Sequence, residues 1–119
     1  MTVALFGRDS GGLNTFAPQL STVAFQVILT AGVAVSLTVP KSTDTNTRDI
    51  LCVISPSSAQ EVWVSGSGTA TLPLTGSFVA CDCEMNPPAR MVKQGSTLSF
   101  ISPFDINLGV SFFAPQGPY

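Results

Sequence analysis

The chain has 119 residues, a length that suits one domain able to bury roughly two thirds of its unfolded surface. Only 10% of the residues are charged and the net charge is −2, against about 25% charged residues in ordinary soluble domains. The five cations, Arg8, Lys41, Arg48, Arg90 and Lys93, are scattered, which argues against the clustered phosphate contacts of nucleic-acid binding, and no apolar run approaches the ~20 residues of a membrane span.

Ser, Thr, Gly, Pro, Asn and Gln stand where charge is missing. Such a surface suits a protein covered by copies of itself or by a partner. It also suits a plain β-protein, because strands favour Thr and Val. Met1 to Ser10 lacks a basic start and a long apolar core, so it is not read as a signal peptide. Synthesis and folding in a cytoplasm are the expectation.

Residues 1–21 show no sustained period. Val3-Ala4-Leu5-Phe6 is a short apolar patch, followed by polar Gly7 to Gly12 and then Leu13 and Phe16. The stretch reads as an extended arm with apolar anchors. Thr22 to Thr30 is the first strong strand. Ala31-Gly32 then predicts a tight hairpin into Val33–Val39, whose Val33, Val35, Leu37 and Val39 share one face. Pro40 ends that strand, since it has no N–H to give to a ladder.

Lys41 to Asp49 is the longest polar stretch and reads as a solvated loop. Ile50 to Ile54 is a continuous apolar strand, predicted to be buried on both faces. Gln60 to Ser65 follows as a strand with Val62 and Val64 on one face and Glu61 and Trp63 on the other. Pro73 makes Thr69–Leu74 an edge or a loop, and Ser77–Cys81 is a candidate short strand. Asp82–Pro88 reads as irregular, Ala89–Lys93 as a strand, Gln94-Gly95 as a turn and Leu98–Ser102 as a strand stopped by Pro103. In Ile106–Phe113, Ile106, Leu108, Val110 and Phe112 alternate with Asn107, Gly109 and Ser111. That period of two predicts one buried and one wet face. Ala114–Tyr119 is a short tail.

Seven or eight short strands between turn signals define an all-β chain, read as an antiparallel, jelly-roll-like β-sandwich. The domain runs over 22–113, with an extended N-terminal arm at 1–21 and a C-terminal tail at 114–119.

Catalytic chemistry is thinly represented. With no histidine, Ser-His-Asp and Cys-His arrangements are absent. The carboxylates are Asp9, Asp44, Asp49, Glu61, Asp82, Glu84 and Asp105. Asp82 and Glu84 project from one short segment and do not span a cleft as a glycosidase pair does. Asp44, Asn46 and Asp49 offer hard oxygen ligands, but their loop lacks the Gly and distal Glu of an EF-hand. Cys81-Asp82-Cys83 has no second thiol pair to complete a zinc site. Two cysteines so close on an extended chain do not easily bridge. All three cysteines are read as free, with Cys52 a buried hydrophobe. No enzyme activity, cofactor or metal is expected.

Two aromatic residues call for a partner surface. Trp63 points away from Val62 and Val64, and serves either as a core residue of a second layer or as a contact to another subunit. Phe113 falls on the face opposite Ile106, Leu108 and Val110, where a neighbouring subunit or the arm would cover it.

The order of these segments resembles a known group. An arm ends near Asn14-Thr15-Phe16-Ala17, and a strand pair closes on Leu37-Thr38-Val39-Pro40. Glu84-Met85-Asn86-Pro87-Pro88-Ala89-Arg90 then leads through a Gly turn to Leu98-Ser99-Phe100-Ile101-Ser102-Pro103 and a last strand ending in Phe112-Phe113. From Asn14 to Phe113 the chain is similar to small virion structural proteins of tailed bacteriophages, of the kind that decorate or cement the capsid. The resemblance implies a β-sandwich on the capsid surface, commonly a homotrimer, bound to the major capsid protein and reaching its neighbours with its termini. It supplies no catalytic residues. On this reading Leu5, Phe6, Leu13 and Phe16 dock the arm, and Trp63 and Phe113 are further interface candidates. The polar 41–49 loop and Cys81-Asp82-Cys83 depart from the pattern. The alternative is a tail-associated adhesive module that binds host glycans through Trp63, Tyr119 and the Asp44/Asn46/Asp49 loop.

Overall fold

The computed structural model describes residues 20–21, 23–41, 49–76 and 79–114. These residues are all-β, with no helix. Eight strands follow in order: β1 (Val23–Leu29), β2 (Val35–Thr38), β3 (Asp49–Pro56), β4 (Trp63–Ser65), β5 (Glu84–Met85), β6 (Ala89–Lys93), β7 (Thr97–Ile101) and β8 (Ile106–Phe113). They form two four-stranded antiparallel sheets, ordered β1-β8-β3-β6 and β2-β7-β4-β5. The pairing is nested: first strand with last, second with seventh, third with sixth, fourth with fifth.

Alternation decides the faces. Ile106, Leu108, Val110 and Phe112 are all buried, as their period of two predicts. Directly across from them on β1 stand Leu29, Val27, Phe25 and Val23. The Phe25 and Phe112 rings meet edge to face, with centroids 5.9 Å apart, the geometry that the ring quadrupoles favour. Leu98 and Phe100 of β7 supply the inward face of the second sheet, and Phe100 is completely buried. Side chains of both sheets join one hydrophobic core with Val39, Ile50, Cys52 and Val62. Each large apolar side chain buried there stabilises the fold by roughly 1.5–3 kcal/mol.

The expected hairpin over Ala31-Gly32 does not form. β1 pairs with β8 and β2 with β7, so this turn carries the chain from one sheet to the other. The Val33 N–H donates to the Thr30 carbonyl at 3.0 Å, and φ is positive at Gly32 (76°) but not at Ala31. That is a type II turn, whose twist splays the flanking strands instead of pairing them. The Asp105 carboxylate accepts the Ala31 N–H at 2.8 Å and the Ser102 carbonyl accepts the Gly32 N–H at 2.8 Å, fixing the corner. The Gln94-Gly95 turn repeats the device between β6 and β7: Gly95 has φ 76° and the Ser96 N–H donates to the Lys93 carbonyl at 3.2 Å.

Three smaller expectations are corrected. β3 is deeply buried on one face only, because its outward Leu51 and Val53 have no covering layer among the described residues and remain half-buried. The 82–88 stretch is not wholly irregular, since Glu84–Met85 pairs with β4. Positions 79–81 are not strand, and residues 77–78 lie outside the described residues.

A corner at Asn86-Pro87-Pro88 joins β5 to β6 across the sheets. The Val62 N–H donates to the Asn86 side-chain oxygen at 2.7 Å, and the Asn86 N–H donates back to the Val62 carbonyl at 2.8 Å. This pair holds Asn86 in the left-handed region, at φ 48°, which asparagine tolerates better than most residues. The Ile54 N–H then donates to the Pro88 carbonyl at 3.0 Å, seating the corner on β3.

Candidate functional site

The outward faces of the two sheets hold the candidate residues. On the β1-β8-β3-β6 sheet, strand register aligns Met91, Leu51 and Phe113 in one row across three strands. Leu51 and Phe113 are half-buried, and Met91 is 54% exposed. The next row holds Ala89, Val53, Ser111 and Ala24. Further along stand Ser55, Gly109 and Gln26, then Asn107 and exposed Ile28. Among the described residues the only charges on this face are Asp49 and Lys93, directly opposite each other at one end. An uncharged, partly apolar sheet face has the composition of the centre of a protein interface.

Trp63 lies on the outward face of the other sheet, between Met85 and Ile101 in register. It is half-buried, and its indole N–H donates to the Glu61 carboxylate at 2.9 Å. Beside that row, Ser65 and Ser99 face outward yet are buried, because the connection from β4 to β5 crosses them. There the Ala70 N–H donates to the Ser99 hydroxyl at 2.8 Å. Trp63 and Phe113 therefore belong to opposite outer surfaces, and the structure does not bring them together. Leu5, Phe6, Leu13, Phe16, Asp44, Asn46 and Tyr119 lie outside the described residues.

Sequence reasoning missed a cleft of about 240 Å³ between the sheets, on their β5–β6 side. Cys52, Ile54, Val64, Val92 and Leu98 line it. It exists because β4 has three residues and β5 two, too few to cover the inner face of β6. Glu84 of β5 and Arg90 of β6 stand at its mouth and form an ion pair, with the Arg90 Nε donating to Glu84 Oε2 at 3.0 Å. The strand expected over Gln60–Ser65 is shortened to Trp63–Ser65, and no periodicity in the sequence announces the gap.

The thiols divide by burial. Cys52 is buried, and the loss of hydration pushes its thiol up to about 11. Cys81 is exposed, and its Sγ lies 3.2 Å from the Cys83 carbonyl, to which it donates. Among the described residues no group of three or more His, Cys, Asp or Glu side chains is placed to hold a metal ion.

No family model, curated protein or solved structure matches this chain.

Proposed function

We propose that this chain is a structural protein of a tailed-bacteriophage virion: a decoration, or cement, subunit. It binds the outside of the shell and stabilises contacts between major capsid proteins. The observation that carries this reading is the outer face of the β1-β8-β3-β6 sheet. From Ile28 to Met91 it is uncharged, and it presents the Met91–Leu51–Phe113 row to the surroundings. A subunit whose work is to bury surface needs such a face, and an isolated monomer does not. The resemblance of segment order along the sequence points the same way.

The fold belongs to the same proposal. We read the two sheets as a jelly roll, one long hairpin of nested strand pairs rolled into two layers. The strand order and the shared core support it. Jelly rolls serve viral shells and lectins alike, so the outer face, and not the fold, carries the functional argument.

In the proposed assembly three copies form a homotrimer at the capsid surface, and the arm bearing Leu5, Phe6, Leu13 and Phe16 extends to neighbours. An interface of standard size, ~1,600 Å², suffices per contact, and linked copies add avidity. Light scattering tests the first step, with a trimer expected at three times the 12.4 kDa chain mass. Co-sedimentation with capsids lacking the protein tests the second. Removal of residues 1–16 should leave folded protein that no longer sediments with capsids; retained binding removes the arm from the mechanism.

A further inference from the structure

We infer that the cleft between β5 and β6 is the receptor for the Val3–Phe6 segment of a neighbouring copy, so that subunits join head to tail by exchanging arms. The inference rests on the decoration reading above, in which several copies assemble.

Three observations lead to it. The first is chemical. Ile54, Val64 and Val92 are apolar, pack against the core and still keep part of their surface exposed along the cleft. The space is an unfilled portion of the core, and Val3-Ala4-Leu5-Phe6 is the apolar tetrad available in the 19 residues that precede Leu20. The second is positional. Val23, Phe112, Cys52 and Arg90 lie in one cross-strand row. The arm therefore leaves its own sheet level with the cleft, but from β1, the edge opposite β6. At that exit the Ser21 hydroxyl donates to the Phe112 carbonyl at 2.7 Å, and Leu20 is already 96% exposed. The third is reach. Between Phe6 and Val23 the extended chain spans up to about 55 Å, whereas a sheet of four strands is only ~14 Å across.

A donor on one edge and an acceptor on the opposite edge define a heterologous contact. Repeated around an axis, that contact closes into a ring. Placed side by side, each β1 edge adjoins the next copy's β6 edge, and the donated segment meets the mouth held by Glu84 and Arg90. The chain's own cleft opens on its far side. Among the described residues β6 is also an edge strand with one side unpaired, so the incoming segment gains backbone hydrogen bonds as well as apolar contact.

The test places p-benzoylphenylalanine at position 6 of the full chain, followed by irradiation, a denaturing gel and peptide mapping. Benzophenone abstracts hydrogen from nearby C–H groups, and Met91 and Val92 line the cleft. The expected product is a two-chain band whose adduct maps to residues 89–93. In a Val92→Trp background, where the indole fills the cleft, that band should be lost while the β-sheet circular dichroism is kept. A one-chain product mapping to the cleft, adducts elsewhere, or no adduct overturns arm exchange. Light scattering on the same sample separates the two readings: an oligomer without the cleft adduct rejects the exchange alone, and a monomer that fails to bind capsids rejects the decoration reading.

Discussion

Arg90 and Glu84 tie the edge strand of one sheet to the edge strand of the other. They form the one ion pair among the described residues. The contact is two-pronged, with Nε and Nη2 of Arg90 each donating to one Glu84 oxygen, the fork geometry for which guanidinium is suited. Both side chains are about half exposed, so water and salt screen the attraction. Its value is positional: it fixes the width of the cleft mouth where sheet hydrogen bonds are lacking.

That hydrogen bond and the neighbouring positive charge hold the Glu84 carboxyl below its usual value. The folded state thus favours the ionised form, and the resulting stability is present above the ordinary glutamate value and lost as pH falls through the folded one. Thermal midpoints of the native chain and of Glu84→Gln should differ at neutral pH and converge in acid. A difference that grows in acid reverses the sign and rejects the account.

Cys52 gives the opposite slope. Burial raises its thiol from 9.0 to about 11, so the fold favours the neutral form. That contribution is complete below the unfolded value and is lost as pH rises from about 9 to about 11, by up to ~2–3 kcal/mol. Urea midpoints of the native chain should fall over this interval by more than those of Cys52→Ala, which has no thiol to ionise. In the folded protein a thiol reagent at pH 8 should modify Cys81 readily, and Cys52 only after denaturant is added.

Substitutions on β8 and β1 separate the core from the surface. Leu108 is 1% exposed, and Leu108→Ala should cost about 2–5 kcal/mol in a urea titration. Ile28, on the outer face at 64% exposure, should tolerate Ile28→Thr within about 0.5 kcal/mol, since both side chains are β-branched. Comparable losses at the two sites would mean that the outer face is covered in solution.

The outer face offers a direct test of assembly. Ile28→Glu places a charge opposite Asn107 on the same outer face, away from the cleft and without touching the core. It should leave the circular dichroism and the urea midpoint nearly unchanged. The light-scattering mass should fall toward that of a single chain, because an unpaired charge buried at an interface costs several kcal/mol. An unchanged oligomer would take this face out of the interface.

Legibility in the sequence followed local pattern. β8 and β6 occupy the residues that alternation and turn signals mark, Ile106–Phe113 and Ala89–Lys93, because each pattern is complete within its strand. Outward-pointing Phe113 was legible for the same reason. Pairing was not. A Gly-containing two-residue loop after Thr30 suits a hairpin or a change of layer, and what decides is the sign of φ at Ala31, a backbone angle that alanine does not announce. Glu84–Met85 escaped notice because two residues carry no period. The cleft is invisible locally, since Cys52, Val64 and Val92 come together only through the fold. That Trp63 and Phe113 lie on different sheets follows only from the register, which no local pattern supplies.

Nested pairing also governs how the chain comes to be folded. Of these eight strands β8 leaves the ribosome after all the others, yet it lies between β1 and β3 and hydrogen-bonds to both. Until it arrives, the inward apolar faces of Val27, Leu29 and Ile54 have no central strand to bind them into a sheet. The nascent chain can form little beyond its innermost pairs, and the long-range contacts make closure slow. Early termination anywhere before Ile106 therefore yields an aggregation-prone chain with open strand edges, not a smaller version of the domain.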